Sequence, residues 1–487
     1  MKRLLIAVLG IFLVVSCREL PENVRQQDAY PNIYPDYIGV TIPVGIAPLN
    51  FDVLSPDCEG VYIEISASDG EKIVTSGRRV DIDIDEWHSL LSSSIGDTLM
   101  VSVCSKSKGV WERWRSFPIY VSVDSLPDYG LTYRRISPVY DVYSDDMGIY
   151  LRELSSFKEK TLVDCRLSNM CVNCHTQNRT STNDVMFHIR GEVGGTFIRH
   201  DGECELVDTR LDSLMSACVY SYWHPSGRYI AFSVNATRQA FHVGGLKRIE
   251  VFDKGSDIVI YDVEKREIIK QPTLAVDTLC ETYPVFSPDG KWLYYSVSKR
   301  PEDDECEKFK YDINRIKFDM SEGSVVDTSE VVVDASSNGK NAIFPRISYD
   351  GRFLMYTISD YGSFSVWHKE SDLMMVNLQS GETDSLRVVN SDDADSFHNW
   401  SSNSRWFVFC SRRDDGLYTR LYIGHVGEDG RCDKPFMLPQ KEPAKYYGEL
   451  MQSYNVPDFC HEEYDMNHRY LKALLDKGAA KVTLRDR

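Results

Sequence analysis

Residues Cys171-Val172-Asn173-Cys174-His175 form a C-x-x-C-H run. Two thiols three positions apart, followed by an imidazole, suit covalent attachment of a c-type haem. The sulfurs add across the porphyrin vinyl groups, and His175 becomes the proximal iron ligand. A low-spin iron also needs a distal ligand. Met186, His188 and His200 lie downstream, and His188 is the residue expected to serve. Two other chemistries use the same side chains. Cys165, Cys171, Cys174 and His175 supply four soft ligands within eleven residues, the number that a closed zinc site takes. Neighbouring Cys174 and His175 diverge, however, which makes one tetrahedron awkward. A local disulfide is the third reading.

Other chemistry-bearing residues form no comparable pattern. His224, His242, His368 and His398 are scattered and make no local metal motif; His224 and His398 sit beside turns, where bonding to backbone is the expected job. The acidic runs 301–307 and 390–395 cluster carboxylates without the alternating order of a calcium loop, so solvated loops are expected there. There is no G-x-S-x-G, H-E-x-x-H, P-loop or G-x-G-x-x-G. These patterns favour an electron carrier or a binding protein over an enzyme.

The amino terminus places this chemistry outside the cytoplasm. Met1-Lys2-Arg3 is basic, residues 4–15 are apolar apart from Gly10, and Val14-Val15-Ser16-Cys17 follows. The apolar run is too short for an anchor helix and reads as a secretory signal, residues 1–16. Small residues before Cys17 resemble a lipobox, which makes Cys17 the lipidated first residue of the mature chain. Arg18 behind it resembles a protein sorted to the outer membrane. Residues 17–36, with Pro21, Pro31 and Pro35, read as a tether.

Charge narrows the partners. The formal net charge of −18 repels phosphate backbones and anionic lipid, so nucleic acid is not expected and membrane contact is left to the lipid. Of thirteen cysteines, those outside Cys17 and the motif are scattered singly, as buried small hydrophobes are, not as a disulfide framework is.

The elements that must position the motif follow from a repeat. Segments 222–233, 285–296, 346–357 and 399–410 each run from an aromatic or apolar strand end through a tight turn and a basic residue into an apolar strand. Pro225 and Pro288 pre-set the first turn dihedral, and Gly227, Gly290 and Gly351 tolerate positive φ; Asn403-Ser404 departs from that pattern. The offsets are 63, 61 and 53 residues, with further strands such as 258–263 and 373–378 between the turns. That is the period of a propeller blade with enlarged loops.

Ser287-Pro288-Asp289-Gly290-Lys291 and its strand resemble the WD40-like repeat of the TolB-type propeller, over about half the chain. The resemblance implies about six blades across residues 186–456, with the less evident ones from 186–209 and 417–438. Together with the lipobox and C-x-x-C-H, the chain resembles envelope lipoproteins often labelled cytochrome c biosynthesis or TolB-like proteins. That likeness implies a haem and an envelope location.

Residues 37–125 alternate apolar and polar positions in short strands, as a small immunoglobulin- or fibronectin-like β-sandwich does. Asp85 is placed to cap a short helix, and Trp111 and Trp114 read as packing aromatics. Residues 126–185 read as a connecting segment carrying the motif, and 457–487 as a tail with a helix ended by Gly478. The expected fold class is therefore all-β, a sandwich followed by a propeller and a short C-terminal helix. The expected function is a haem-bearing redox lipoprotein with a redox or other envelope partner. The alternative is a propeller that binds a protein, peptide or glycan, with C-x-x-C-H as a disulfide or zinc site.

Overall fold

Three of the four turn units close because each builds the same small hydrogen-bond cage. Ser287 Oγ donates to Asp289 Oδ1 at 2.6 Å, which accepts from the Lys291 amide at 3.1 Å, while Ser287 Oγ accepts from the Trp292 amide at 3.0 Å. Ser348 and Asp350 repeat this at 2.6, 3.0 and 2.9 Å, and Ser401 and Asn403 at 2.8, 3.2 and 3.0 Å. These are the side-chain-to-backbone bonds that favour Ser, Asp and Asn in turns. Gly290 and Gly351 take positive φ, 72° and 74°; in the third turn Ser404 does so at 61°.

The computed structural model describes residues 20–55, 57–137, 147–167, 171–191, 194–242, 249–301 and 305–486. The signal segment 1–16 and Cys17 lie outside them. Strands dominate, with three α-helices among the described residues, and no helix there is long and apolar enough to cross a membrane.

From residue 130 onward the strands form a β-propeller. Blade 1 combines Ser453–Cys460, on the inside, with Gly130–Ile136, Gly148–Glu153 and Glu159–Asp164. Blade 2 is Val172–Gln177, Val185–Ile189, Gly195–His200 and Glu203–Asp208, extended by Ala480–Lys481. Blade 5 is Asn341–Ile347, Phe353–Ser359, Asp372–Asn377 and Thr383–Asp384; blade 6 is Asp395–Trp400, Trp406–Ser411, Arg420–His425 and Phe436–Met437. Those four stand as separate sheets. A nine-stranded sheet holds two further meanders, joined by one bridge pair between Ser256 and Cys280. Its first meander, blade 3, is Cys218–Trp223, Tyr229–Phe241, Ile249–Asp262 and Glu267–Lys270, with Thr483–Asp486 on its edge. Its second, blade 4, is Leu279–Phe286, Trp292–Lys299, Asp312–Asp319 and Ser324–Val333. Ser453–Cys460 pairs with Gly130–Ile136, so the two ends of the propeller sequence close the ring in one sheet.

Several boundaries differ from expectation. The segment 126–185 is not a connector: it supplies three strands of blade 1 and the inner strand of blade 2. Its strands lack the Ser-x-Asp-Gly turn signal, so the sequence concealed them. Residues 186–209 complete blade 2, and 417–438 give the outer strands of blade 6 rather than another blade. The tether is part of the N-terminal unit from Arg25–Gln26 onward, because Ile33 and Tyr37 are buried in its core.

That unit is a forked sheet. Cys58–Ser66 lies between Lys72–Gly77 and Thr98–Ser107, and the latter pairs with Val110–Arg113 through one half and Phe117–Val121 through the other. The helix Ile84–Ser93 is capped by Asp83, not Asp85: its carboxylate accepts from the Asp85 and Glu86 amides. Trp114 Nε1 donates to Ser105 Oγ at 2.9 Å, a packing role. The unit shares one apolar core with blade 6. Asp124 ties the two through Arg405 Nη2 at 2.7 Å and His425 Nε2 at 2.9 Å. The tail helix is His468–Lys477, capped by Asn467 and ended by Gly478 at φ 84°; it buries Leu471 and Leu475.

Candidate functional site

Every blade's inner strand carries the same irregularity. Cys174, Tyr220, Tyr283, Phe344, Phe397 and Val456 have φ between 46° and 55°, one per blade. The pairing register slips beside each of them. A bulge of this kind bends its strand and re-aims a side chain. A left-handed non-glycine residue costs about 1–2 kcal/mol, so its recurrence around the ring marks a feature that the packing enforces.

The bulge residues border one central cavity of about 650 Å³, within the range of small-molecule sites. They form an aromatic belt across four blades. Ring centroids lie 4.5 Å apart for Tyr220–Tyr283, 4.5 Å for Tyr283–Phe344 and 4.7 Å for Phe344–Phe397. Such spacings suit edge and tilted aromatic contacts.

Two positions past the bulge the lining turns polar. Tyr222, Arg346, Asn399 and Asp458 occupy that level in their blades. Asp458 Oδ1 accepts from Asn399 Nδ2 at 2.8 Å and Oδ2 from the Gln177 amide at 3.3 Å. Burial pushes the Asp458 carboxyl up to about 8, against the Gln177 amide and the Arg346 charge. Arg346 lies 5.4 Å from the Tyr222 ring centre, and burial draws its pKa down. On the other side of the belt, where the inner strands begin, Cys171, Arg134, Arg190, Trp367 and Arg412 also border the cavity.

The C-x-x-C-H residues lie in blade 2's inner strand and its approach. Cys171 is buried, and its sulfur accepts from Arg134 Nη2 at 3.4 Å; the same nitrogen meets Met147 Sδ at 3.2 Å. Asn173, with its amide turned to suit its surroundings, accepts from Arg190 Nε at 2.8 Å. Cys174 is the bulge residue. His175 follows it and is 3 % exposed, with both ring nitrogens buried and unpartnered among the described residues, near the backbone of Thr132, in blade 1's second strand.

That placement is general to the propeller. Ser221, one past its bulge, donates to Met186 Sδ at 2.8 Å in the preceding blade's second strand. His398, one past its bulge, faces the Met355 backbone in the preceding blade's second strand. The remaining three blades carry Pro284, Pro345 and Pro457 there. The position after the bulge thus points into the seam with the preceding blade, while the bulge residue points to the axis. His175 accordingly lies at the blade 1–blade 2 seam, and Cys171, Cys174 and His175 all border the cavity. Burial holds His175 down at about 4, opposed by the Thr132 backbone, and His398 down at about 3.

The other predicted ligands are also placed. His188 Nδ1 pairs with Thr196 Oγ1 at 2.9 Å, and its ring lies 5.9 Å from Phe232 of blade 3, so it is a seam residue that borders the cavity. Burial pushes its pKa down to about 3. Met186 is engaged by Ser221, and His200 Nδ1 by Asp184 at 2.8 Å. The proposed zinc set does not converge. Among the described residues, the one group of three such side chains with ligand atoms within 4.8 Å is Asp184, His200 and Asp201. Cys171 and Cys174 are both free thiols, as are Cys165 and Cys204 nearby, so the disulfide is not formed. His224 Nε2 meets the Gly290 carbonyl at 3.1 Å, the backbone role expected of it. In the acidic run 390–395, Asp395 is occupied by Ser391 and Arg413 at 2.7–2.9 Å, which leaves no calcium geometry. The second run falls partly outside the described residues.

Sequence reasoning missed the cavity residues Tyr220, Tyr283, Phe344, Phe397, Arg346, Asp458 and Arg412. The signal was an aromatic residue at a fixed offset before each of the four turns, followed by Pro or His in three of them.

No family model matches the chain, and no curated protein matches it. Among solved structures it is similar to a puromycin-hydrolyzing peptidase of Mycobacterium tuberculosis, at 11 % identity and TM-score 0.36, covering 83 % of this chain and 57 % of that one. The chain thus spans little more than half of that peptidase. It is also similar to an oligogalacturonate lyase from Vibrio parahaemolyticus, at 10 % identity and TM-score 0.32, covering 77 % of this chain and 100 % of the lyase. A DUF4784 family protein from Bacteroides caccae gives 8 % identity, TM-score 0.30 and coverage of 75 % and 97 %. At these TM-scores the likenesses say nothing about what the chain does.

Proposed function

We propose that the chain is a ligand-binding propeller, tethered in the cell envelope through Cys17, whose central cavity takes a small ring-bearing molecule. Cys171-Val172-Asn173-Cys174-His175 then serves as a blade strand and its approach. The observation that carries this reading is the belt of Tyr220, Tyr283, Phe344 and Phe397 around a cavity of about 650 Å³. Ring faces held at fixed spacing offer stacking surface with little ordering cost, because the bulges already fix them. Binding suits this geometry better than turnover. The imidazoles that border the cavity are wedged in blade seams, and Asp458 is held protonated at neutral pH by burial.

The test is a thermal-shift and calorimetric screen of the full-length protein with neutral ring probes: benzamide, indole and methyl glucoside. At least one should raise the melting temperature, and Tyr283→Leu or Phe344→Leu should weaken it about tenfold. Silence from every probe, or binding indifferent to both substitutions, would remove the reading.

A further inference from the structure

Arg412 is 2 % exposed and follows the second strand of blade 6 at the cavity wall. Its Nε and Nη1 are buried without a hydrogen-bond partner. Its guanidinium carbon lies 3.1 Å from the Trp367 ring centre, so one face of the fork is covered by an indole. No carboxylate among the described residues forms an ion pair with it; Asp393 and Asp415 act only at longer range. Burial draws its pKa down to about 9, which still leaves a cation at neutral pH. A buried, unpaired guanidinium is costly unless something supplies the missing acceptors.

The surroundings have the same sign. Of the charged side chains that border the cavity, six are arginines and two are carboxylates. One carboxylate, Asp208, is taken by Arg210 at 3.0 Å, and the other, Asp458, is protonated. The chain as a whole carries −18, so a cationic cavity runs against its average and concentrates anions locally. Phe397 of the belt, with Phe364 6.0 Å away, borders the same cavity as Arg412 and Trp367.

We propose that Arg412 is the carboxylate-binding residue of the cavity, and that the ligand is a small organic acid whose ring lies on the aromatic belt. This rests on the ring-binding reading above and names its ligand class. A planar fork stacked on Trp367 matches a carboxylate with two parallel N–H donors, which Lys in its place would not.

Calorimetry on the full-length protein with benzoate and the near-isosteric neutral benzamide tests it. Benzoate should bind about tenfold or more tightly, and Arg412→Met should abolish that preference, benzoate losing far more affinity than benzamide. Arg412→Lys should recover only part of it. Circular dichroism checks that each variant is folded. Should Arg412→Met fail to fold, the wild-type ratio of benzoate to benzamide affinity still decides. Equal affinities in the wild type, or a preference that survives Arg412→Met, would overturn the anion site. If both probes bind equally and Tyr283→Leu weakens both, the ring-binding cavity stands and only the assignment of Arg412 falls. If neither binds, both fall.

Discussion

Four buried titratable groups around the cavity set opposite demands on pH. His175, His188 and His398 are held at about 4, 3 and 3 by burial. Their folded values lie below the ordinary 6.5. The stability they allow is therefore present above pH 6.5 and is lost as pH falls toward 4, where the unfolded chain takes up protons that the folded one refuses. His175→Gln should flatten the acid limb of a denaturation series between pH 6.5 and 4, by at most about 1.4 kcal/mol per pH unit. An unchanged slope would mean that the imidazole is solvated rather than wedged against Thr132. Asp458 has the opposite sign. Its folded value, raised to about 8, lies above the unfolded one. Its contribution is full below the ordinary carboxyl range and is lost as pH rises toward 8. Asp458→Asn should therefore gain on the wild type as pH is raised from 5 to 8, read as the difference between their melting temperatures.

Turns and bulges, the two elements that build the blades, differ in how plainly they are written. The turns were legible because Ser287, Asp289 and Gly290 each have a local job that few residues can do. Gly290 combines φ 72° with the His224 ring, which a Cβ would meet at 2.4 Å. Gly290→Ala should cost about 2 kcal/mol or more, measured by denaturant unfolding, because strain and clash add. Gly351 has similar φ and nothing within 4 Å of an added Cβ, so Gly351→Ala should cost only the strain. The bulges were not legible: a one-residue slip is enforced by neighbouring blades, and Tyr283 or Phe344 alone does not announce it. Cys174-His175 illustrates the consequence. It stands before Thr176 as Phe397-His398 stands before Asn399, the same bulge and seam pair. That alignment gives the adjacent thiol and imidazole of the C-x-x-C-H run a place in the blade. A structural strand predicts that Cys171→Ala/Cys174→Ala folds with a melting temperature within about 3 °C of the wild type, since small buried side chains are exchanged for smaller ones.

Across the molecule, one inner strand from the far end of the sequence closes the ring, and the last residues clamp its outside. Ala480–Lys481 and Thr483–Asp486 pair in parallel with the outer strands of blades 2 and 3. Deleting residues 479–487 should lower the melting temperature and increase proteolysis at the blade 2 and blade 3 edges without abolishing probe binding, because the aromatic belt stands on the inner strands. The N-terminal unit shares its core with blade 6, so the two should unfold together in calorimetry. The account as a whole depends on the central cavity being free for a ligand, with the Cys174-His175 pair spent on the blade. Intact-mass spectrometry of the protein matured in a host competent for c-type cytochromes examines this directly. The predicted mass is that of the polypeptide with its lipid and two free thiols at Cys171 and Cys174; a covalently added porphyrin, lost in Cys171→Ala/Cys174→Ala, would contradict it.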